Sequence, residues 1–196
     1  MHKLDRATAT APPCLNGYQY PTHTWKFFGQ TSCKRELRAA LVHMQGIPGI
    51  TTPDANEYGL RCAYCEGQIR HEGHIEHFRR KNPTSGFPHL TFAWDNLFLA
   101  CGAKEHCGHY KDRKGAEVYD PMHLIKPDQD DPDQFLYFHS SGQVLPRVNV
   151  SEQDATRADT TIKVFGLNNP TLAGARRAAV KKYLNMKDAD LQEIES

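Results

Sequence analysis

Between Cys62 and Lys111 the chain runs Cys62-Ala-Tyr-Cys65, then His74-Ile-Glu76-His77, then Trp94-Asp-Asn96, and closes on Cys101 and Cys107-Gly-His109. Two cysteines separated by two residues turn their thiolates toward one tetrahedral ion, as in a zinc knuckle. Cys101 and Cys107 complete a four-cysteine set, although five residues separate them, more than in a standard second knuckle. The gap from Cys65 to Cys101 also exceeds the roughly 15–20 residues of a simple zinc ribbon. Something is therefore inserted between the two halves. A structural zinc fills its coordination with protein ligands and leaves no position for substrate, so chemistry has to come from the insert.

The insert offers a carboxylate beside imidazoles. Carboxylate oxygen and imidazole suit Mg²⁺, Mn²⁺ or related ions better than thiolates do. A histidine, with an unperturbed pKa of about 6.5, accepts a proton from water near neutrality. Along a strand, His74 and Glu76 would fall on one face and His77 on the other. A base and a metal ligand from adjacent residues then need a strand end or a bend. Two other metal chemistries fit poorly. In zinc deaminases the Cys-x-x-Cys follows the histidine and a proline precedes it; here the pair comes first, with Arg61 in front. The His-Glu-x-x-His of metalloproteases fails because Ile75 stands where the second histidine is needed after His71-Glu72.

The whole chain sets the bounds. Its 196 residues suffice for one ordinary domain or a small functional module with flanking elements. Hydrophobic residues make up 39% and the mean hydropathy is −0.66, a modest core that gains from a metal staple. No run of about eighteen apolar residues exists, which argues against a membrane span. Met1 to Pro13 has no apolar stretch of a secretory signal. A cytoplasmic protein is expected. In a reducing compartment, the Cys-x-x-Cys favours metal ligation over disulfides, and Cys14 and Cys33 read as ordinary buried or half-buried thiols. A net charge of +1 gives no protein-wide electrostatic case for nucleic acid. Local charge is less even: Arg79-Arg80-Lys81 follows the His/Glu cluster, and Lys111, Arg113 and Lys114 follow the last cysteine. Two basic groups flanking one site suit a phosphate backbone.

Outside the centre, residues 1–30 read as an extended arm with short turns. Ser32 is a helix N-cap candidate, and Leu37, Leu41 and Met44 place one apolar face on a helix ending at Gln45, stopped by Gly46 and Pro48-Gly49. Residues 50–60 read as a loop or short helix, and 128–133 as a polar linker. Phe135–Phe138 and Val144–Val150 around Ser140-Ser-Gly142 read as a hairpin. Ser151, with Asp154 three residues on, caps a helix toward Phe165, and another runs from about Thr171 to Met186.

Cys62-x-x-Cys65, Glu76-His77, Asn96-Leu97 and Cys101…Cys107 with His109 and Lys111 resemble the HNH endonucleases, ββα-metal nucleases with a zinc knuckle. More closely, Cys-Ala-Tyr-Cys-Glu66, His-Ile-Glu-His-Phe-Arg79, Phe92-Ala-Trp94-Asp-Asn96-Leu97-Phe98 and Cys107-Gly-His-Tyr-Lys111 resemble the PtuB type. That is the HNH protein of Septu anti-phage systems, also found with some retrons. Leu4-Asp-Arg6, Pro13-Cys-Leu15 and Val164-Phe-Gly-Leu167-Asn168 extend the likeness over most of the chain. Two departures stand out: Arg80 occupies the place of a proline, and the last histidine lies two residues after Cys107 rather than one, so His106 competes with His109.

The resemblance implies an α+β fold with a ββα-metal, treble-clef-like core. Its four-cysteine zinc knuckle is flanked by N- and C-terminal helices. It implies an arm and helix packing on the core over 1–60, the nuclease core with its zinc knuckle over 61–120, and a partner-binding hairpin and helices over 121–196. His77 would be the general base; Glu76 and His109 would hold the catalytic divalent ion; Asn96 would orient His77 or pin its loop; His74 would be ligand, phosphate contact or support. Arg79, Arg80, Lys81 and Lys111 would meet the substrate phosphates. The implied activity is metal-dependent DNA cleavage in anti-phage defence, gated by a partner ATPase of the PtuA type, possibly within a retron complex. The rival readings are an inactive zinc-stapled binding module and an HNH nuclease acting on RNA.

Overall fold

Short periodic segments produce short elements. The computed structural model describes residues 1–46, 59–69 and 73–184, and it is an α+β arrangement of two small antiparallel ribbons and several helices. In chain order the named elements are α1 (Trp25–Phe28), α2 (Ser32–Gln45), β1 (His74–His77), β2 (Leu97–Ala100), α3 (Cys107–Lys111), β3 (Leu136–Phe138), β4 (Val144–Pro146), α4 (Glu152–Val164) and α5 (Pro170–Leu184). Single-turn 3₁₀ segments connect them. The Pro48-Gly49 stop, most of the 50–60 stretch, and the end of the last helix at Met186 lie outside the described residues.

The central ribbon pairs β1 with β2 in the register His74↔Ala100 to His77↔Leu97. All four residues of β2 are buried, which is why Leu97-Phe-Leu-Ala100 reads as an unbroken apolar run. One face of α2 covers it: Leu37, Leu41 and Met44 are buried at i, i+4 and i+7. The helix starts at Ser32 with Thr31 in the N-cap position, one residue earlier than the sequence suggests; Thr31 Oγ1 donates to the Phe28 carbonyl instead of capping. At the other end Gln45 is buried. Its amide nitrogen donates to the carbonyls of Arg61 and Leu99 (3.1 Å each), and its amide oxygen accepts from Leu99 N (2.7 Å). One side chain thus satisfies backbone groups at the β2 edge that would be costly to bury unpaired.

The N-terminal arm packs inward: Met1 and Leu4 are buried, and Leu4 N donates to Pro127 O at 2.8 Å. Arg6 reaches inward, donating to the carbonyls of Trp94 (2.8 Å) and Leu97 (3.2 Å) with its guanidinium over the Phe98 ring. The 128–133 segment is not a linker. Asp128 is clasped by Arg6 and Lys126, and Asp130 pairs with Arg157 at 2.6 Å; burial of the arm turns these polar residues into tertiary ties. Cys14 and Cys33 are not free thiols but a disulfide, with Cα atoms 5.8 Å apart. It ties the turn at Pro13–Gly17 to the first turn of α2, a pairing that tertiary folding creates and spacing does not reveal.

The C-terminal part forms as its patterning suggests. Strands β3 and β4 make the hairpin, Leu136↔Pro146 to Phe138↔Val144. Its turn needs Gly142, whose φ is +84° and where a Cβ would meet the Ala173 carbonyl oxygen at 2.1 Å. Ser151 Oγ accepts from Asp154 N and caps α4. A continuous core runs from Met1 through Leu41, Tyr64, Phe98 and Phe165 to Leu167.

Candidate active site

The four cysteines come together although they arise from separate segments. Glu66 adopts a positive φ of +61°, Glu66 N donates to Cys62 O (3.1 Å) and Cys62 N to Gly67 O (3.0 Å), so the first pair sits in a tight turn. Ala63 N donates to Leu99 O at 3.1 Å and docks that turn on β2. Cys107, with φ +62°, is held by a bond from its N to Phe165 O at 2.7 Å. The four Sγ atoms lie within 4.8 Å of one another, with Cys62–Cys107 at 3.7 Å and Cys65–Cys101 at 3.9 Å. A tetrahedron with metal–sulfur bonds of about 2.3 Å has edges of roughly 3.8 Å, so the set fits a structural metal and matches zinc. Burial opposes ionisation of Cys62, but hydrogen bonds from Cys101, Cys107 and Cys65 draw its pKa well below the ordinary thiol value. The bonds to Cys101 and Cys62 push the thiols of Cys65 and Cys107 up in turn, so the set shares its protons and would release them on binding a metal.

His106 belongs to this cluster. It is buried, with Nδ1 3.2 Å from Cys107 Sγ and 3.7 Å from Cys101 Sγ. His106 thus lies beside the cysteines, whereas His109 stacks on His74.

On the other side, a cavity of about 650 Å³ runs along the edge of β1 that β2 does not cover. A cavity at a strand edge is bordered by side chains of both faces. His74, Glu76 and His77 therefore all line it despite strand alternation. His77 is the last residue of β1, so base and ligand candidates meet at a strand end and no bend is needed.

His77 is 2% exposed, and its Nε2 lies 3.0 Å from the Thr91 carbonyl oxygen. A carbonyl can only accept, so Nε2 carries the proton and Nδ1 holds the free lone pair. Trp25 packs edge-on against the ring at 4.4 Å. Burial and the Lys81 ammonium push the pKa of His77 down to about 3, against the opposing pull of Glu76 and the Thr91 bond. The ring is neutral at physiological pH.

Glu76 behaves oppositely. Burial would raise its pKa, but the Lys111 ammonium, 2.9 Å from Oε1, and the bond to His74 Nε2, 3.1 Å from Oε2, hold it down at about 2. It is an ionised carboxylate inside the protein. Gly108 makes room for it: a Cβ there would stand 2.3 Å from Glu76 Oε2. His109, exposed at the start of α3, stacks on His74 with ring centroids 4.1 Å apart. Burial, with the neighbouring His74, lowers its pKa. Glu76, His74 and His109 are an anionic oxygen and two imidazoles, and His74 Nδ1 is buried without a hydrogen-bond partner. The donor chemistry fits a divalent ion. Among the described residues, only the four cysteines converge as a ready set of three or more ligand atoms.

Asn96 is buried and lies on the loop side of this centre. Its Oδ1 accepts from Arg79 N (2.7 Å), and its Nδ2 donates to the carbonyls of Arg79 and Leu90 (3.1 Å each). It fastens the chain leaving β1 to the segment that carries Thr91, the partner of His77. Lys111, expected at the surface or on a phosphate, is fully buried between Glu76 and Asp112, so the structure directs its charge at carboxylates. Arg80 pairs with Asp112 at 3.1 Å, and Arg79 lies over the Phe87 ring at 5.6 Å. Of the basic trio, Lys81 borders the cavity.

Trp25, Lys34, Arg35 and Arg38 also line this cavity and were not legible as site residues. The signal was present in Lys34-Arg35…Arg38, an i, i+1, i+4 basic group on α2, but that helix speaks first through its apolar face. Arg38 donates to the Gly73 carbonyl at 2.9 Å, just before β1.

Similarity to known proteins is distant but consistent. Over 154 residues the chain is 25% identical to the Septu protein PtuB of Bacillus mycoides, covering 67% of this chain and 50% of that protein. Over 131 residues it is 24% identical to a protein of Vibrio cholerae named a candidate HNH endonuclease of retron Vc95, covering 64% and 60%. The chain thus spans about half to three fifths of the length of these curated relatives. No family model matches it. The resemblance read from the central motifs is thereby shown at the level of sequence similarity.

Proposed function

We propose that this chain is a ββα-metal, HNH-type endonuclease that hydrolyses phosphodiester bonds of DNA. The observation that carries the reading is the pairing of a neutral, tautomer-fixed His77 with an ionised, buried Glu76 on one cavity lined by cations. The two relatives' names, PtuB of a Septu system and an HNH endonuclease of a retron, support a role in anti-phage defence.

In this account His77 Nδ1 takes the proton of the attacking water, whose oxygen bonds to phosphorus as the bond to the 3′ oxygen breaks. The Thr91 carbonyl keeps Nε2 protonated and the ring oriented. Trp25 shields one edge of the ring from solvent. Glu76 and His109, with His74 beside them, would hold a divalent cation such as Mg²⁺ or Mn²⁺, which supplies charge stabilisation at the scissile phosphate. Lys111 and Gly108 fix the Glu76 carboxylate, and Asn96 acts as a positioning residue through the Thr91 segment. Lys34, Arg35 and Lys81 present positive charge where phosphate would enter. The four-cysteine centre would carry zinc and set the geometry of α3.

A partner ATPase of the PtuA type would restrain and deliver the nuclease, which fits a net charge of +1 on a nucleic-acid enzyme. The 121–196 segment, with its exposed hairpin residues Tyr137, Phe138 and Leu145, is proposed as the partner-binding part. Vigorous, unrestrained DNA cleavage by the isolated chain would remove support for gating. Comparing DNA with RNA substrates in the presence of Mn²⁺ tests the substrate; cleavage confined to RNA would reassign it.

A further inference from the structure

A second cavity, of about 790 Å³, adjoins the first, and Trp25, Lys81 and Asp112 border both. Its lining includes two aromatic rings, Tyr20 and Trp25, and the cations Lys81, Arg113 and Lys114 beside Arg80. The one carboxylate among them, Asp112, is already met by Lys111 at 2.6 Å and Arg80 at 3.1 Å. Arg113 is engaged with Tyr110, over its ring at 3.5 Å. Lys81 and Lys114 have no hydrogen-bond or ion-pair partner among the described residues. On a chain whose net charge is +1, this lining is a local concentration of cations, not an average surface.

Of the two rings Trp25 is packed and Tyr20 is exposed. The Cys14–Cys33 disulfide closes the segment that bears them. Trp25 packs on Phe28 (5.0 Å), Phe92 (5.9 Å) and His77 (4.4 Å). Tyr20 is 41% exposed and pairs with no other ring among the described residues. An exposed ring and unpaired ammonium groups lining one groove are what a single strand uses: bases stack on rings while phosphates meet cations. A duplex keeps its bases stacked on each other and leaves such a ring idle.

We propose that this groove binds an unpaired stretch of nucleic acid adjoining the scissile phosphate, with a base stacked on Tyr20 and phosphates at Lys81 and Lys114. The proposal rests on the nuclease reading above and narrows its substrate to strands with unpaired nucleotides at the cut.

The test uses the full chain carrying His77→Ala, to prevent cutting, and a fluorescent single-stranded DNA oligonucleotide against a blunt duplex of the same sequence. The single strand should bind at least about tenfold tighter. Tyr20→Ala should lose roughly tenfold of that affinity while Tyr20→Phe keeps it, since stacking needs the ring alone. Lys81→Ala with Lys114→Ala should reduce the slope of log affinity against log salt by about 1.4, at about 0.7 per phosphate contact on a single strand. Equal binding of strand and duplex, or a Tyr20→Ala variant as tight as its parent, overturns the groove. Cleavage by the chain with His77 intact is scored separately. Cutting that persists when the groove test fails leaves the nuclease reading standing. A groove that binds as stated on a chain that never cuts removes that reading. Tighter binding of single-stranded RNA, with the same sensitivity to Tyr20→Ala, keeps the groove and overturns the choice of DNA.

Discussion

At the scale of single residues, Gly108 links the two halves of the centre. A methyl group there would occupy the place of the Glu76 carboxylate, with 2.3 Å to Oε2. Gly108→Ala should therefore abolish metal-dependent cleavage while zinc content, measured by elemental analysis, stays at the wild-type level. Asn96→Ala strips three hydrogen bonds from buried backbone groups. It should lower stability by roughly 2–3 kcal/mol in urea unfolding, because buried polar groups left unpaired are costly. Protonation has a definite sign here. His77 titrates near 3 in the fold against an ordinary 6.5, so between those values the unfolded chain binds the extra proton. Glu76, at about 2 against 4.5, acts in the same direction lower down. Stability should be full above about pH 6.5 and fall as pH drops toward 3. His77→Gln should flatten the upper part of that dependence in a series of urea titrations.

At the scale of elements, sequence reading succeeded where local signals decide. The stripe of Leu37, Leu41 and Met44 marked α2, Ser151 with Asp154 marked the start of α4, and Gly142 marked the hairpin turn. Ser151→Ala should cost about 1 kcal/mol by removing the cap, visible as a lowered urea midpoint with cleavage unchanged. It failed where partners are distant in the chain. Nothing local marks Cys33 as the partner of Cys14, or Asp128 as the partner of Arg6. The site followed the same division. Cys62 and Cys65 stood out by type and spacing and Glu76-His77 as a carboxylate beside an imidazole, whereas Asn96 stood out only through the likeness to HNH endonucleases. The α2 cations and the inward aim of Lys111 did not stand out, because helix orientation and burial decide them.

At the scale of the whole molecule, the two centres share a backbone. Cys107, Gly108, His109 and Lys111 lie in one helix of five residues, so the cysteine cluster sets where Glu76 and His109 meet. A metal held by the cysteines would then couple its binding to folding. Cys62→Ser, or exhaustive chelation, should remove zinc and unfold the chain's centre, seen as lost near-ultraviolet dichroism together with lost cleavage. The central claim is that His77 activates water for phosphodiester cleavage. The most direct measurement compares nucleic-acid cleavage by the wild-type chain and His77→Ala, each with matched zinc content, in Mn²⁺ and with the proposed partner ATPase present. The account predicts cutting by the wild type and a loss of about 10²–10⁴-fold in the variant. Equal rates for the two proteins would contradict it.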